Sequence, residues 1–273
     1  MIIVSKSVNL GPLESKLIFE LEKRGKLLFD FKDSKEILDT SDSSVANVLH
    51  RLRGKGRVEE IQKGKYVLNP ARSGLEGEWM ESLYLIIDHI VDEYYVGFWS
   101  AMSYWDLTEQ IPVVTQVALT KRKRRVEYLG QEIKFIKISE KRFFGSVREE
   151  VGDESFDISS IEKTVIDGLT YPQHCGGLYE VSKALWNSRE MIDDEEVLRY
   201  LERLDVSAVT RRMGYLLDLL DIKKDLRDKL RKDFKGFRWL DPSSSKQDYI
   251  YNKEWGLKLN ISEKEMLSWR ELH

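Results

Sequence analysis

The strongest constraint on the fold is a change of hydrophobic period between residues 41 and 68. From Ser43 to Arg53 the apolar side chains recur at i, i+3, i+4 and i+7, which places them on one face of a helix. These side chains are Val45, Val48, Leu49 and Leu52. After Gly54 two short extended segments, 57–61 and 65–69, flank Gln62-Lys63-Gly64, whose glycine suits a tight turn. The pattern therefore predicts a helix followed by a β-hairpin.

Two further helical segments precede this helix. Leucine and isoleucine recur from Glu14 to Phe31 in a helical stripe that is interrupted near Gly25, and a short helix fits Ser34 to Leu38, with Ser34 as its cap. Thr40, Ser41 and Asp42 supply N-cap oxygens ahead of the third helix. Helix, short helix, capped helix and hairpin, in this order, predict an N-terminal winged helix-turn-helix over residues 1–70.

The charge of the chain is unevenly distributed. The 273 residues carry a formal net charge of -3, which by itself argues against nucleic-acid binding. Residues 1–70, however, hold 13 basic and 10 acidic side chains, a net charge of +3, so the remainder carries -6. Because attraction to phosphate depends on the local patch, the first segment stays compatible with a polyanionic partner.

The exposed side of the third helix predicts contacts with double-stranded DNA. A helix fits the major groove, where Arg51 can bind guanine and Asn47 adenine through paired hydrogen bonds, while lysines of the hairpin contact phosphate. The predicted DNA-binding residues are Ser43, Ser44, Asn47, Arg51, Arg53, Lys63 and Lys65. The alternative is a protein-docking module whose charges serve only solubility.

Residues 71–78 predict a linker, and residues 79–273 predict a larger mixed domain, so that the fold class is α+β. Helical periodicity covers 76–94 and 97–107 at the start of this region and 157–170, 177–189, 193–204, 207–220 and 223–234 later. Segments rich in β-branched and aromatic residues predict a small antiparallel sheet from 111–119, 126–129, 132–138 and 143–151. Further strands are expected near the C-terminus.

Chemical motifs in the second domain are few. Cys175 is the single cysteine, and the histidines lie in different elements, so we expect neither a metal site nor a cofactor. Phosphate-binding and nucleophile-elbow motifs are absent from the sequence. We therefore expect no enzyme. The alternative is a nucleic-acid-processing enzyme in which Asp153 and Asp157 bind Mg²⁺ and the winged helix only docks.

One basic run stands out in the second domain. Its five residues are Lys121, Arg122, Lys123, Arg124 and Arg125. They lie between two predicted strands and therefore in a hairpin loop, which either contacts nucleic acid or an acidic partner or is a solvated tip. No apolar run reaches the length of a membrane span, and the N-terminal residues lack a signal-peptide pattern, so we expect a cytoplasmic protein.

Several segments, read together in order, resemble the AbiEi-like antitoxins of type IV toxin–antitoxin systems. These segments are YYVGFWSAMSYWDLTEQ at 94–110, FFG at 143–145, FDISSIEKTVIDGLTYPQHCGG at 156–177 and VTRRMGYLLDLL at 209–220. The resemblance implies a DNA-binding winged helix and an antitoxin domain. It also implies repression of the protein's own operon through inverted repeats, and counteraction of a nucleotidyltransferase toxin without a stable complex.

The resemblance also marks positions in the second domain. The residues that fall on the family-like pattern are Ser100, Lys163, Thr164, Asp167, Arg211, Arg212 and Gly214. Lys163 and Asp167 stand one helical turn apart and can pair with each other. Arg211 and Arg212 adjoin an apolar helix stripe, so we expect them to face solvent or nucleic acid, and Lys163 is a further candidate contact.

Overall fold

A computed structural model describes residues 9–69, 76–128, 131–151 and 154–272 and shows a chain of mixed α and β structure. The chain divides into two compact units, Met1–Asp92 and Glu93–His273. Residues 71–75 of the predicted linker lie outside the described residues, and 76–78 begin a helix, Glu76–Ile90. That helix, which its sequence position assigns to the second domain, is grouped with the first unit.

The first unit combines four helices and three strands within its described part. They are α1 (Pro12–Lys23), β1 (Leu28–Asp30), α2 (Phe31–Leu38), α3 (Asp42–Gly54), β2 (Val58–Gln62), β3 (Lys65–Leu68) and α4 (Glu76–Ile90). The strands pair antiparallel in the order β1-β3-β2. Gly64 forms the turn between β2 and β3 at φ +77°, a backbone conformation that favours glycine.

The third helix was predicted well, and its neighbours less so. Ser41 caps α3, accepting a hydrogen bond from the Ser44 amide, and the four predicted apolar side chains are buried. The first helix ends before Gly25, however, and Leu28 belongs to a strand rather than to the helical stripe. Asp30 caps α2 in place of Ser34, whose buried hydroxyl donates to the Asp30 carbonyl at 3.0 Å. The helix begins at Phe31, so Ser34 lies in its first turn rather than at its cap.

The second unit contains a six-stranded sheet that is mixed, so the prediction of a small antiparallel sheet was wrong. Its strands are β4 (Tyr95–Val96), β5 (Val114–Leu119), β6 (Val126–Tyr128), β7 (Gln131–Lys137), β8 (Ser146–Val151) and β9 (Glu154–Ser159), in the order β6-β7-β5-β4-β9-β8. The pairs β5–β7 and β4–β9 are parallel. The strand β9 was missed, because its residues 157–159 were assigned to the following helix and 154–156 to no element.

Helices and a second, smaller sheet complete this unit. The helices are α5 (Phe98–Tyr104), α6 (Ile161–Thr170), α7 (Gly177–Asn187), α8 (Asp194–Leu204), α9 (Ser207–Leu220), α10 (Lys224–Leu230) and α11 (Glu263–Leu267). The strands β10 (Arg238–Trp239), β11 (Ile250–Asn252) and β12 (Leu257–Leu259) form a sheet in the order β10-β12-β11. Ser160, not Ser159, caps α6. Among the described residues no helix has the length and apolarity needed to cross a membrane.

The centre of the second unit is formed around α9. This helix contacts α6, α7 and α10, and nine of its 14 residues are buried. Gly214 allows the close approach of Trp255: a Cβ at this position would lie 2.0 Å from the nearest atom of the indole ring. The family-like glycine therefore has a packing role.

Candidate nucleic-acid interface

Four of the predicted DNA-binding residues of α3, Ser43, Ser44, Asn47 and Arg51, share one side of the helix. Ser43, Asn47 and Arg51 are exposed and follow one another at intervals of four residues, and Ser44 is half-buried beside them. The Ser43 hydroxyl lies 3.1 Å from that of the capping Ser41. The helix therefore presents a polar row that begins at its N-terminal turn.

Arg51 is held by a carboxylate that the sequence did not single out. Its Nε lies 3.0 Å from Glu14 Oε1, and Lys55 Nζ lies 2.5 Å from Glu14 Oε2. Glu14 is buried, and its carboxylate also accepts a hydrogen bond from the Gly11 amide at 2.8 Å. Burial opposes ionisation of Glu14, but the contacts with Lys55, Gly11 and Arg51 outweigh it and lower the pKa of this carboxyl. Glu14 thus holds the Arg51 guanidinium in place through its Nε atom.

The remaining basic residues of the interface differ in their surroundings. Arg53 forms an ion pair with Glu60 of β2 at 2.5 Å. Lys63 is exposed at the tip of the hairpin, and Lys65, at the start of β3, is exposed but donates to the backbone carbonyl of His89 in α4. Within the described residues the Lys63 side chain makes no ion pair or hydrogen bond, so its ammonium faces solvent at the hairpin tip.

The basic run 121–125 follows β5, but it does not join a hairpin as predicted. β5 and β6 are separated in the sheet by β7, so the loop crosses the end of β7. Arg122 and Arg124 are exposed, Arg125 lies 3.6 Å from Glu132, and Lys123 lies over the Phe135 ring at 5.6 Å. The loop stays a cationic surface.

Lys163 does not face solvent, so its prediction as a nucleic-acid contact was wrong. Its ammonium is 1% exposed, pairs with Asp167 one turn later in α6, and donates to the Tyr95 hydroxyl at 2.9 Å. Tyr95 in turn donates to Asp167 at 2.8 Å. Burial lowers the pKa of Lys163 and raises that of Tyr95. The alternative role, a pair between Lys163 and Asp167, is confirmed.

Arg211 and Arg212 are also buried, contrary to the prediction that they face solvent or nucleic acid. Arg211 donates to the carbonyls of Lys235, Gly236 and Gly256 at 2.6–2.9 Å. The prediction failed because α9 is packed against neighbouring segments on most sides. The two arginines beside its apolar stripe therefore meet backbone carbonyls rather than water. Both guanidinium groups donate to backbone carbonyls of other elements and loops.

Arg212 joins two distant parts of the chain. It donates to the carbonyl of Leu169, near the end of α6, at 2.8 Å, and to that of Trp239 in β10 at 3.0 Å. Burial lowers the pKa of Arg212 to about 10, and the nearby charge of Asp241 acts in the opposite direction. The side chain therefore fastens the C-terminal sheet to the helical core.

Ser100 and Thr164, the other polar family-like residues, also have internal partners. The Ser100 hydroxyl accepts from the Gln116 amide at 2.9 Å, and the Thr164 hydroxyl donates to the Ser160 carbonyl at 2.8 Å. Both side chains are fully buried. The family-like positions of the second unit thus form its interior.

The residues of the alternative enzyme hypothesis are only partly described. Asp153 lies outside the described residues, and Asp157 in β9 pairs with Arg148 at 3.2 Å. Within the described ranges no three His, Cys, Asp or Glu side chains are grouped as metal ligands. Cys175 is buried, which raises the pKa of its thiol well above the usual range.

Sequence reasoning missed a second exposed feature, in the C-terminal sheet. Four aromatic rings and one lysine form what we call the aromatic row: Phe237, Trp239, Tyr249, Tyr251 and Lys258. The two pairs of aromatic residues each alternate at spacing two, which is the signal of one sheet face. That alternation is visible in the sequence.

Most of the chain is similar in fold to a solved structure. The crystal structure of the RV2827C protein from Mycobacterium tuberculosis superimposes with a TM-score of 0.70 over 96% of each chain. The two sequences are 13% identical, so this likeness concerns the fold alone. No family model and no curated protein matches the sequence.

Proposed function

We propose that this protein is a DNA-binding antitoxin of the AbiEi-like type that represses its own operon and has no catalytic activity of its own. The observation that carries the DNA-binding half is the polar row of α3, which starts at a capped helix N-terminus beside a lysine-tipped hairpin. The antitoxin half rests on the resemblance to AbiEi-like antitoxins of several segments that follow one another in order between residues 94 and 220.

The first unit is interpreted as a winged helix-turn-helix. In this interpretation α2 and α3 form the helix-turn-helix, and β2 and β3 form the wing. The N-terminal side chains of α3 enter the major groove, and Lys63 contacts phosphate. The net charge of +3 over residues 1–70 favours DNA, which is a polyanion, over a protein surface with few acidic residues.

Arg51 retains the capacity to bind guanine despite its ion pair. A guanidinium carries five N–H donors, and the contact with Glu14 occupies Nε. The side chain is 56% exposed, so its far end faces solvent. Glu14 then serves as a positioning residue, since it limits the rotamers from which Arg51 reaches a base.

One winged helix reads few base pairs, so we propose that two copies bind an inverted repeat in the operator, with half-sites one or more helical turns apart. The toxin is proposed to be a nucleotidyltransferase encoded beside this protein and counteracted without a stable complex. Both partners are expected in the cytoplasm.

DNA binding is tested with a duplex from the region upstream of the protein's own gene. Asn47→Ala and Arg51→Ala should each weaken specific binding by about 1–3 kcal/mol, because each removes a paired contact to a base. Lys63→Ala should weaken operator and scrambled duplexes alike and reduce the salt slope by about one. Fluorescence anisotropy at several salt concentrations measures both quantities.

Lys23→Ala is the matched control for this experiment, because it removes one exposed charge from α1 and leaves the polar row of α3 intact. We expect it to leave operator affinity within a factor of about two, the scale of a distant screened charge. Binding that is absent for the unchanged protein at low salt, or lost equally in Lys23→Ala and Asn47→Ala, contradicts the repressor proposal.

The antitoxin half has its own experiment. Co-expression of the full chain with the neighbouring toxin should restore growth, and the chain carrying both Asn47→Ala and Arg51→Ala should restore it equally. The reason is that the proposed antitoxin activity belongs to the second unit, whereas these substitutions affect DNA reading. Colony counts on inducing medium provide the measurement, with protein levels matched by immunoblot. Failure of rescue by the unchanged chain rejects the antitoxin proposal and leaves DNA binding untouched.

A further inference from the structure

The aromatic row occupies one face of the C-terminal sheet. Trp239 of β10 and Tyr251 of β11 both pair with Lys258 of β12, so these three side chains lie abreast across the strands. Phe237 and Tyr249 precede them by two residues and therefore lie on the same face. Lys258 Nζ lies 4.8 Å from the Trp239 ring centre and 4.9 Å from that of Tyr249.

These rings are not interior side chains. Phe237 and Tyr249 are each 37% exposed and Tyr251 is 51% exposed, although burial of an aromatic ring is among the largest sources of stability in a fold. The rings meet edge to face, at interplanar angles of 66–85°. In each such contact one ring presents its edge and the other one face, and Lys258 Nζ lies over the Trp239, Tyr249 and Tyr251 rings. Stacking of a base therefore uses the parts of these rings that stay exposed.

The surroundings of the aromatic row are cationic. Residues 235–258 contain Lys235, Arg238, Lys246, Lys253 and Lys258, against three acidic residues. Of these acids, Asp241 is buried and accepts from Ser243 and Ser244, while Glu254 pairs with Arg231 at 2.7 Å. Asp248 is the acid that remains exposed and forms no ion pair within the described residues, so the surface favours an anionic ligand.

We propose that the aromatic row is a binding site for single-stranded RNA, whose bases stack on Trp239, Tyr249 and Tyr251 while the surrounding lysines contact phosphate. Exposed rings on a sheet, flanked by positive charge, match the requirements of unpaired bases on a charged backbone. A cationic ligand is disfavoured, because Lys258 already occupies the centre of the row. The hydroxyls of Tyr249 and Tyr251, 3.3 Å apart, can bind the ribose 2′-hydroxyl.

This proposal goes beyond operator binding, and the full chain tests it. The probe is a fluorescein-labelled single-stranded RNA of mixed sequence, about 12 nucleotides long, within the site sizes known for stacking platforms. The double variant Tyr249→Ala/Tyr251→Ala should bind this RNA about 30-fold or more weakly than the unchanged protein, since stacking on each ring is lost. Its affinity for the operator duplex should not change.

Ile250→Ala is the matched control, because Ile250 lies between the two tyrosines in the sequence, is 74% exposed and, as a neighbour of Tyr251 in β11, points to the other side of the sheet. It should retain full RNA affinity. Crosslinking of 4-thiouridine RNA to the unchanged protein should map to residues 237–258, which keeps the proposal testable if the double variant does not fold.

Three results would overturn the proposal. The first is equal RNA affinity of the double variant and Ile250→Ala. The second is crosslinking confined to the first unit. The third is equally tight binding of single-stranded DNA of the same sequence, which would show that the site does not select RNA over DNA. A loss of self-association in the double variant, with no RNA bound by the unchanged chain, would assign the row to a second copy of the protein and also overturn the proposal.

Discussion

Lys163→Met is expected to lower the free energy of unfolding of the second unit by about 3–5 kcal/mol, because it leaves the carboxylate of Asp167 buried without its counter-charge. Asp167 is 2% exposed, and the Tyr95 hydroxyl would be its remaining partner in the triad. Urea denaturation followed by tryptophan fluorescence measures the change, since six of the seven tryptophans lie in this unit.

The double variant Lys163→Met/Asp167→Asn should recover most of this loss. It removes both charges, and the asparagine oxygen can still accept from Tyr95. Lys141→Met is the matched control: it breaks a lysine–aspartate pair of the same chemistry, with Asp205 at 3.2 Å, in which both side chains are more than half exposed. Such a pair contributes about 0–1 kcal/mol. Equal destabilisation by Lys141→Met and Lys163→Met would show that burial is not the cause.

The local structure of the first unit was predictable because local signals decide it. The cap at Ser41, the helical spacing of four apolar residues and the turn at Gly64 each act within a few residues of chain. The strand β1 was not predictable in this way. Its residues Leu28 and Phe29 pair with Val67 and Tyr66, almost forty positions later, and a hydrophobic pair alone suits a helix as well.

The strand pairing of the second unit could not be predicted from the sequence, for the same reason. Strand periodicity located β5, β6 and β7, but it does not encode which strand pairs with which, so the parallel β5–β7 pair was missed. Charged residues were assigned to the surface by their chemistry. Arg211 and Lys163 are buried because the interior supplies partners for their charges. Arg211 donates to backbone carbonyls of other segments, and Lys163 pairs with a carboxylate on the next turn of its helix.

The candidate interface was predictable in composition and less so in detail. Asn47 and Arg51 are exposed on the predicted side of α3. The ion pair between Arg51 and Glu14 joins two helices, so that it required the structure. The aromatic row carried a readable alternation, but its exposure depends on the sheet having one uncovered face, which no local pattern specifies.

The two buried arginines of α9 add no positive charge to the surface of the second unit. Arg211 and Arg212 use their donors on carbonyls of the segment 235–256, and they thereby order the strand that carries Trp239. The positive charges that remain outside come from lysines and Arg238 of the C-terminal sheet. A count of basic residues in the sequence therefore overestimates the positive charge that α9 offers to a partner. The same count underestimates how closely the exposed positive charges are grouped beside the aromatic row.

Arg212→Met should lower the free energy of unfolding of the second unit by about 2–6 kcal/mol, because it leaves the carbonyls of Leu169 and Trp239 without their arginine donor at about 1–3 kcal/mol each. Arg212→Lys keeps the positive charge but has one nitrogen in place of a planar fork that reaches both carbonyls, so we expect nearly the same loss.

Urea denaturation of both variants measures this effect, with Arg199→Met as the matched control, since Arg199 is 70% exposed on α8. We expect that control to change stability by no more than about 0.5 kcal/mol. Full stability of Arg212→Lys would mean that charge alone suffices there. Because β10 is fastened through the Trp239 carbonyl, Arg212→Met should also weaken single-stranded RNA binding, whereas Arg199→Met should not, and this links the core of the unit to the aromatic row.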